Sequence, residues 1–419
     1  KKIGFSKTSI GPHILPEDKV GFCISNRTEI FLSLFDHPTK AKVEGEIYID
    51  DTYSLHSFYW RLSSGPYRIS ANGERRNGGV EMVLFSGEKE IGRQTIDSKN
   101  LFFSQQFLPI SSLPSLSRKG EYLIECVDPF GIGGTEKIRL KVREKKAIPH
   151  NGKLVEAVEC EITYHQLKSR IYVDREGSIL KAELPWGIVA KREDEEKAER
   201  LIFTHNLPNI ASLSSPITIQ NPRDVKYMKV KLNGEVMEIE TRMPKEGMQI
   251  PISGVSGLSE TPFVQCKDPE IRACAEEIIG EERDSLKASY MIMEWVYKKI
   301  KKRPTFSIPS AIEVLKHRSG DCSEHTTLFT ALTRSVGIPT KMVLGLCYYE
   351  ERFYYHNWCR VYCGEWIELD PTFCQFPADA THIPLIEGDI EKQVEVLGMM
   401  EDLEIEVIEY NYDKDRGSI

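Results

Sequence analysis

The chain lacks an excess of positive charge: 55 lysines and arginines face 63 aspartates and glutamates, a formal net charge of −8. No global electrostatic attraction to phosphate backbones or anionic lipid follows, and nucleic acid is not an expected partner. No apolar run approaches the roughly 20 residues needed to cross a hydrocarbon core, so no membrane span is expected. The opening residues, Lys1 to Lys19, lack the apolar h-region of a secretory signal. Internal repeats and low-complexity tracts are also missing. Ten cysteines are spread over 419 residues with no CxxC pair, which argues against both a disulfide-stapled miniprotein and a zinc site of the CxxC kind. Cys359 and Cys363 share the face of a predicted strand but stand too far apart to bridge without distortion. Free, partly buried thiols are the simplest account of most of the cysteines.

What is present is a foldable composition, 40% hydrophobic and 28% charged, long enough at about 150 residues per domain for two to four domains. Residues 1–150 alternate short β-branched runs with turn-rich breaks at 72–79 and 128–134, which predicts a β-rich domain, most simply a sandwich. Residues 145–154, polar with Pro149 and Gly152, read as a linker. Residues 155–255 predict a second β-rich module, or a continuation of the first, with hairpins turning at 175–177 and at Asn233-Gly234. A charged run at 192–201 predicts a short, water-facing helix.

The pattern changes after about residue 265. Asp268-Pro269 opens one helix, and residues 285–303 form a second whose cationic end suits the helix dipole. A third, short helix lies within 307–320, with Ser307 and Pro309 at its start and Gly320 as its stop. A fourth starts at Cys322 and ends at Gly337 and Pro339, with Leu328, Phe329, Leu332 and Val336 spaced to face a core. From Thr340 the period shifts to strands over 340–349, 353–363 and 365–373. The region 265–390 is therefore an α+β domain, and the residues from 391 onward read as an acidic, strand-like tail.

Chemistry concentrates in this last third. Cys322 follows a Gly-Asp turn at the first turn of a predicted helix, where unsatisfied N–H groups and the positive dipole end favour a thiolate and lower the cysteine pKa. The same N–H groups, that of Cys322 first, could face an oxyanion. His356 lies in an aromatic-rich strand. Asp370 ends the next strand, just before Pro371, where a hairpin around Gly364 could return it to the histidine nitrogen facing away from Cys322. Cysteine attack requires this division of labour among thiolate, imidazole and orienting carboxylate.

The segments Gly320–His325, Thr326–Lys341, Tyr355–Tyr362 and Glu365–Thr372 together resemble the transglutaminase-like superfamily, whose core holds a papain-related Cys, His, Asp site. The resemblance covers roughly residues 265–385. It implies Cys322 as nucleophile, His356 as base and acid, and Asp370 as orienting carboxylate, with the cysteine at a helix start and the other two on an antiparallel sheet. Residues 171–187 are also similar to a β-rich region that precedes such cores in some bacterial members.

Around this trio, Glu324 and His325 are expected to pack or hydrogen-bond near the nucleophile. Trp358, two residues from His356, is a wall of the acyl site or ordinary core. Trp295 is a candidate second oxyanion donor or, again, core. Asn357 should point to the opposite face from His356. His317, Asp321 and His325 lack a ligand rhythm, so no metal and no cofactor is expected, and the calcium dependence of some animal transglutaminases finds no acidic loop here. The expected reaction is acyl transfer from a protein or peptide amide through a thioester. Hydrolysis is favoured over cross-linking, and a non-catalytic binding module is the competing class. The β-rich modules would position substrate or anchor the protein. Unpaired cysteines point to a reducing compartment, and exported bacterial relatives point the other way.

Overall fold

Asn-Gly pairs set the rhythm of the strands. Asn77-Gly78, Asn151-Gly152 and Asn233-Gly234 all carry positive φ at both residues, as tight hairpin turns matched to strand twist require. The computed structural model describes residues 2–34, 37–52, 54–96, 102–103, 119–127, 135–164, 167–200, 212–244, 246–389, 392–400 and 402–412. They divide between two compact units, residues 1–210 and 211–419.

Unit 1 holds two sheets. Strands β1 (Gly4–Leu15), β2 (Lys19–Leu34), β3 (His37–Asp50), β4 (Leu55–Ser64), β5 (Tyr67–Arg76), β6 (Gly79–Ser86) and β7 (Lys89–Ile96) form a seven-stranded antiparallel meander in chain order. Side chains alternate as a half-buried sheet demands: Phe58, Trp60 and Leu62 are buried and Arg61 between them is exposed. The second sheet runs from β8 (Phe102–Phe103) through β9 (Gly120–Val127), β10 (Thr135–His150), β11 (Lys153–Tyr164), β12 (Leu167–Val173) and β13 (Ile179–Glu183) to β14 (Val189–Lys191). The charged run supplies the short helix α1 (Glu195–Glu199).

The linker expected at 145–154 is not there. Those residues are the end of β10, the Asn151-Gly152 turn and the start of β11, paired from His150–Lys153 back to Arg139–Thr163. The Asn-Gly hairpin signal outweighs the local Pro and polar content, because each strand backbone finds its partners in the other. The second sheet therefore runs through residue 150. The turn expected at 128–134 lies outside the described residues.

Unit 2 begins with β15 (Ser212–Ser214) and the hairpin β16 (Tyr227–Leu232) and β17 (Glu235–Glu240). Helices α2 (Pro269–Ile279) and α3 (Ser285–Lys299) follow, with Asp268 and Asp284 as N-caps whose side chains accept backbone N–H groups. After β18 (Lys301–Lys302) come α4 (Ala311–His317), capped by Ser310, then β19 (Ser319–Gly320) and α5 (Cys322–Ser335). Strands β20 (Thr340–Tyr349), β21 (Arg352–Tyr362), β22 (Trp366–Leu369) and β23 (His382–Glu387) complete a sheet in the order β15-β21-β20-β23, with β22 also paired to β21. Helix α6 (Gln393–Met400) and β24 (Ile405–Asn411) end the described chain.

β24 pairs with β16 as an edge strand, but the strand expected over 394–398 is helical. Val396 and Met400, four residues apart, both belong to the buried cluster that holds Leu344, Leu346 and Tyr355; positions four apart share a face in a strand as well as in a helix, so their spacing alone does not separate the two. Helix α5 goes further than its predicted apolar stripe, since every residue from Cys322 to Arg334 is buried. It packs between helices α2, α3 and α4 and strands β20 and β21, and its threonines are satisfied locally: Thr326 Oγ1 donates to the Asn357 carbonyl and Thr333 Oγ1 to that of Phe329.

Candidate active site

The start of α5 is held by a reciprocal cap. Asp321 accepts from the Ser323 N–H, while Glu324 Oε2 accepts the Asp321 N–H at 2.8 Å. Glu324 Oε1 also accepts from Thr305 Oγ1 at 2.6 Å and Ser307 Oγ at 2.8 Å. Gly320 makes this possible: a Cβ there would fall 2.4 Å from the Glu324 Cβ. His325 Nδ1 donates to the Asp321 carbonyl at 2.6 Å, and its ring is fully buried. Glu324 and His325 thus fix the turn that carries Cys322.

Cys322 itself is only 4% exposed. The backbone N–H of Asn357, the residue after His356, favours its thiolate, though burial outweighs it. The docking point is an opening in the sheet. On one edge β21 is paired with β20 throughout; on the other, β15 covers Arg352–Tyr354 and β22 covers Cys359–Tyr362. Residues 355–358 lie between them. Asn357 points its side chain to Ser323 Oγ at 2.9 Å, away from the imidazole, as strand alternation requires.

The expected lowering of the Cys322 pKa is reversed. Burial pushes the thiol well up, and Asp321 and Glu324 reinforce it, against a partial offset from the Asn357 N–H. The magnitudes decide this: a helix dipole contributes about 0.3–2 kcal/mol, whereas an ion removed from water is penalised by several kcal/mol. His356 moves the opposite way, lowered by burial despite Asp370. Both shifts favour the neutral thiol and neutral imidazole.

His356 and Asp370 are joined. His356 Nε2 lies 2.7 Å from Asp370 Oδ2, and both side chains are buried. Asp370 Oδ1 accepts the N–H groups of Thr372 at 2.6 Å and Phe373 at 3.2 Å. Burial alone would raise the Asp370 pKa, but His356 and a second histidine, His382, hold it well below the usual carboxylate range. With Nε2 committed to the carboxylate, Nδ1 is the nitrogen left for a thiol. Cys322 and His356 make no hydrogen bond to each other among the described contacts; His356 lies on β21, against which α5 packs.

The imidazole is walled by rings. Phe373 stacks on it at 5.1 Å and Trp358 at 6.2 Å. Trp358 is fully buried and donates to Glu368 at 2.8 Å, so it backs the histidine within the core. Gly345, opposite His356 in the register, leaves room for it, since a Cβ there would fall 2.8 Å from the Trp358 ring. Trp295 lies on α3 with the Arg318 guanidinium 5.7 Å from its ring centroid.

Sequence reasoning missed a second layer. His382 Nε2 lies 3.0 Å from the same Asp370 Oδ2, and Cys347 Sγ lies 3.6 Å from that nitrogen. Arg223 Nη1 approaches Cys347 Sγ at 3.2 Å and Asp379 Oδ2 at 3.0 Å. Nothing in the spacing of His382 or Arg223 announces this: Arg223 arrives from a distant part of the chain, and His382, 12 residues on from Asp370, returns to it only through the fold of the chain between them. Cys347, His356 and His382 place one ligand atom each within 4.8 Å of one another. Both imidazole Nε2 atoms are already directed at Asp370, and a guanidinium stands beside the sulfur, so the cluster reads as a hydrogen-bond network rather than a cation site.

A solved structure from Cytophaga hutchinsonii, a provisionally assigned cysteine protease, is 17% identical with a TM-score of 0.33; the match covers 43% of the present chain and 66% of that one. No curated protein matches. The family model of the transglutaminase-like superfamily matches residues 272–371, the stretch from α2 to the residue after Asp370. Within the α+β C-terminal unit, behind β-rich sheets, the chain therefore carries a transglutaminase-like domain.

Proposed function

We propose that unit 2 is a cysteine-dependent acyl hydrolase acting on protein or peptide amides, with Cys322 as nucleophile, His356 as general base and acid, and Asp370 as the carboxylate that orients the imidazole. The observation that carries the reading is the 2.7 Å bond from His356 Nε2 to Asp370 Oδ2, on a strand whose next residue, Asn357, is tied to the helix start of Cys322 by a 2.9 Å bond to Ser323 Oγ.

The resting pair is a neutral thiol and a neutral imidazole. As sulfur attacks the amide carbonyl, the thiol proton passes to His356 Nδ1, a C–S bond forms and the carbonyl π pair moves to oxygen. Collapse of the tetrahedral intermediate breaks the C–N bond, and His356 returns the proton to the departing amine. Water then attacks the thioester with His356 again as base, releasing the acid and restoring the thiol. A lysine amine in place of water would give cross-linking. Hydrolysis is favoured because water is always available, and the β-rich unit 1 is assigned to substrate positioning or anchoring.

Incubating the full chain with a library of peptide and glutamine amides tests the reading by intact mass. A Cys322 acyl adduct with amine or ammonia release is expected, and amine incorporation would move the assignment to transglutamination. Absence of any adduct, with alkylation of Cys322 indifferent to His356→Ala, would leave a non-catalytic binding module.

A further inference from the structure

A second histidine, His382, meets polar groups at both ring nitrogens. His382 opens β23 and is fully buried. Around its ring stand Trp358 at 5.1 Å, His356 at 5.6 Å and Phe373 at 6.4 Å. Its Nε2 faces Asp370 Oδ2 at 3.0 Å, with Cys347 Sγ at 3.6 Å. Its Nδ1 faces the Asp379 carbonyl at 3.1 Å and Asp379 Oδ2 at 3.4 Å. Oxygen acceptors thus meet both ring nitrogens, and only a doubly protonated imidazole can donate to each side.

The next shell is consistent with a buried cation. Asp379 Oδ1 accepts from the Thr381 N–H at 2.9 Å and the Thr381 hydroxyl at 2.5 Å. Arg223 pairs with Asp379 Oδ2 at 3.0 Å, and its guanidinium sits 4.7 Å from the Phe373 ring centroid. Two carboxylates, Asp370 and Asp379, are therefore balanced by two cations, Arg223 and His382. Burial disfavours a charged His382, but Cys347, Asp379 and Asp370 outweigh it and hold its pKa well above the usual value.

We infer that His382 is a positioning residue of the proposed reaction: as a fixed imidazolium it shares Asp370 Oδ2 with His356, locks the carboxylate in place, and keeps the His356 proton affinity low enough for a neutral base. This rests on the assignment of His356 above. Sharing one oxygen between two donors weakens the His356 bond, and the positive charge 5.6 Å away, ring to ring, opposes a second proton on His356. The charged or titratable groups around His356 and His382 include Asp370, Asp379, Cys347, Arg223 and each other, and the Lys302 ammonium lies 5.7 Å from the Phe373 ring that stacks on His356.

The test is the pH dependence of iodoacetamide alkylation at Cys322, read by peptide mapping on the full chain, which needs no substrate. His382→Gln keeps an N–H for Asp370 but removes the charge. The acidic limb of the rate, which follows deprotonation of His356, is expected to move upward by about one pH unit, so that the rate below the midpoint falls about tenfold while the alkaline plateau stays. His382→Asn removes the same charge and should move the limb the same way, and it supplies the measurement should His382→Gln not fold. A limb unchanged in the variant that folds overturns the role of His382. Alkylation indifferent to His356→Ala overturns the catalytic assignment instead.

Discussion

Each unit buries a carboxylate in a sheet, and the two are satisfied in opposite ways. In unit 1, Glu159 on β11 is 4% exposed at its side chain and is met by Lys146, by Arg170 at 3.4 Å and by Arg143 at 3.7 Å. Those cations reach in from a surface where their own side chains are 41–58% exposed. In unit 2, Asp370 is met by two imidazoles and two backbone N–H groups, all inside the core. A carboxylate held by lysine and arginine is a static tie. One held by histidines can pass its state to a neighbour, because imidazole titrates near neutrality.

Cutting both ties should separate these roles. The largest effect expected is at the nucleophile: Cys322→Ala should reduce amide turnover by on the order of 10⁴-fold or more, measured as amine release. Next comes Asp370→Asn, which leaves the fold but orients the wrong tautomer of His356, and should lower kcat by about 10²–10⁴-fold. Retention of wild-type kcat in either variant would place the chemistry elsewhere.

Acid should separate the units more gently. The Asp379 pKa is brought down to about 2, burial being overcome by His382 and Arg223, and Asp370 is shifted in the same direction. A depressed carboxylate stabilises above its unfolded pKa of about 3.9, and that contribution fades as pH falls toward the native value. For Asp379 this is worth about 2 kcal/mol. Denaturant titrations from pH 5 to pH 2 should therefore show a fall that Asp379→Asn flattens. His382 acts with the opposite sign: its raised pKa adds stability below the unfolded value of about 6.5, lost as pH rises through the native one.

The smallest effect is expected from Glu159→Gln, which should lower the stability of unit 1 by about 1 kcal/mol, since its partners are largely solvated. Calorimetry would report this as a lower Tm with unchanged amide turnover. Loss of turnover with intact folding would mean that unit 1 takes part in the chemistry.

Much of unit 2 was legible from local signals. Asp268-Pro269 and the Gly320-Asp321 turn each begin a helix where capping chemistry says they should, and the segment 307–320 holds the short helix read there, which starts after Ser310. The shift to strands at Thr340 follows the residue pattern. The 145–154 misreading has a physical cause: Pro149 and Gly152 look like a break locally, and only pairing of β10 with β11 reveals a hairpin. Helix α6 was missed because Val396 and Met400 declare their face only against the core they pack on.

Local chemistry in the chain determined where the nucleophile candidate sits, at the first turn of α5, and that a histidine and an aspartate follow on neighbouring strands, because capping, periodicity and turn preferences act over a few residues. Tertiary structure decided the rest. It buried Cys322 and so raised a thiol that the helix start alone would lower, and it brought His382, Asp379 and Arg223 behind Asp370. Desolvation and long-range pairing depend on what the folded chain places in three dimensions, and no short stretch of residues contains that information.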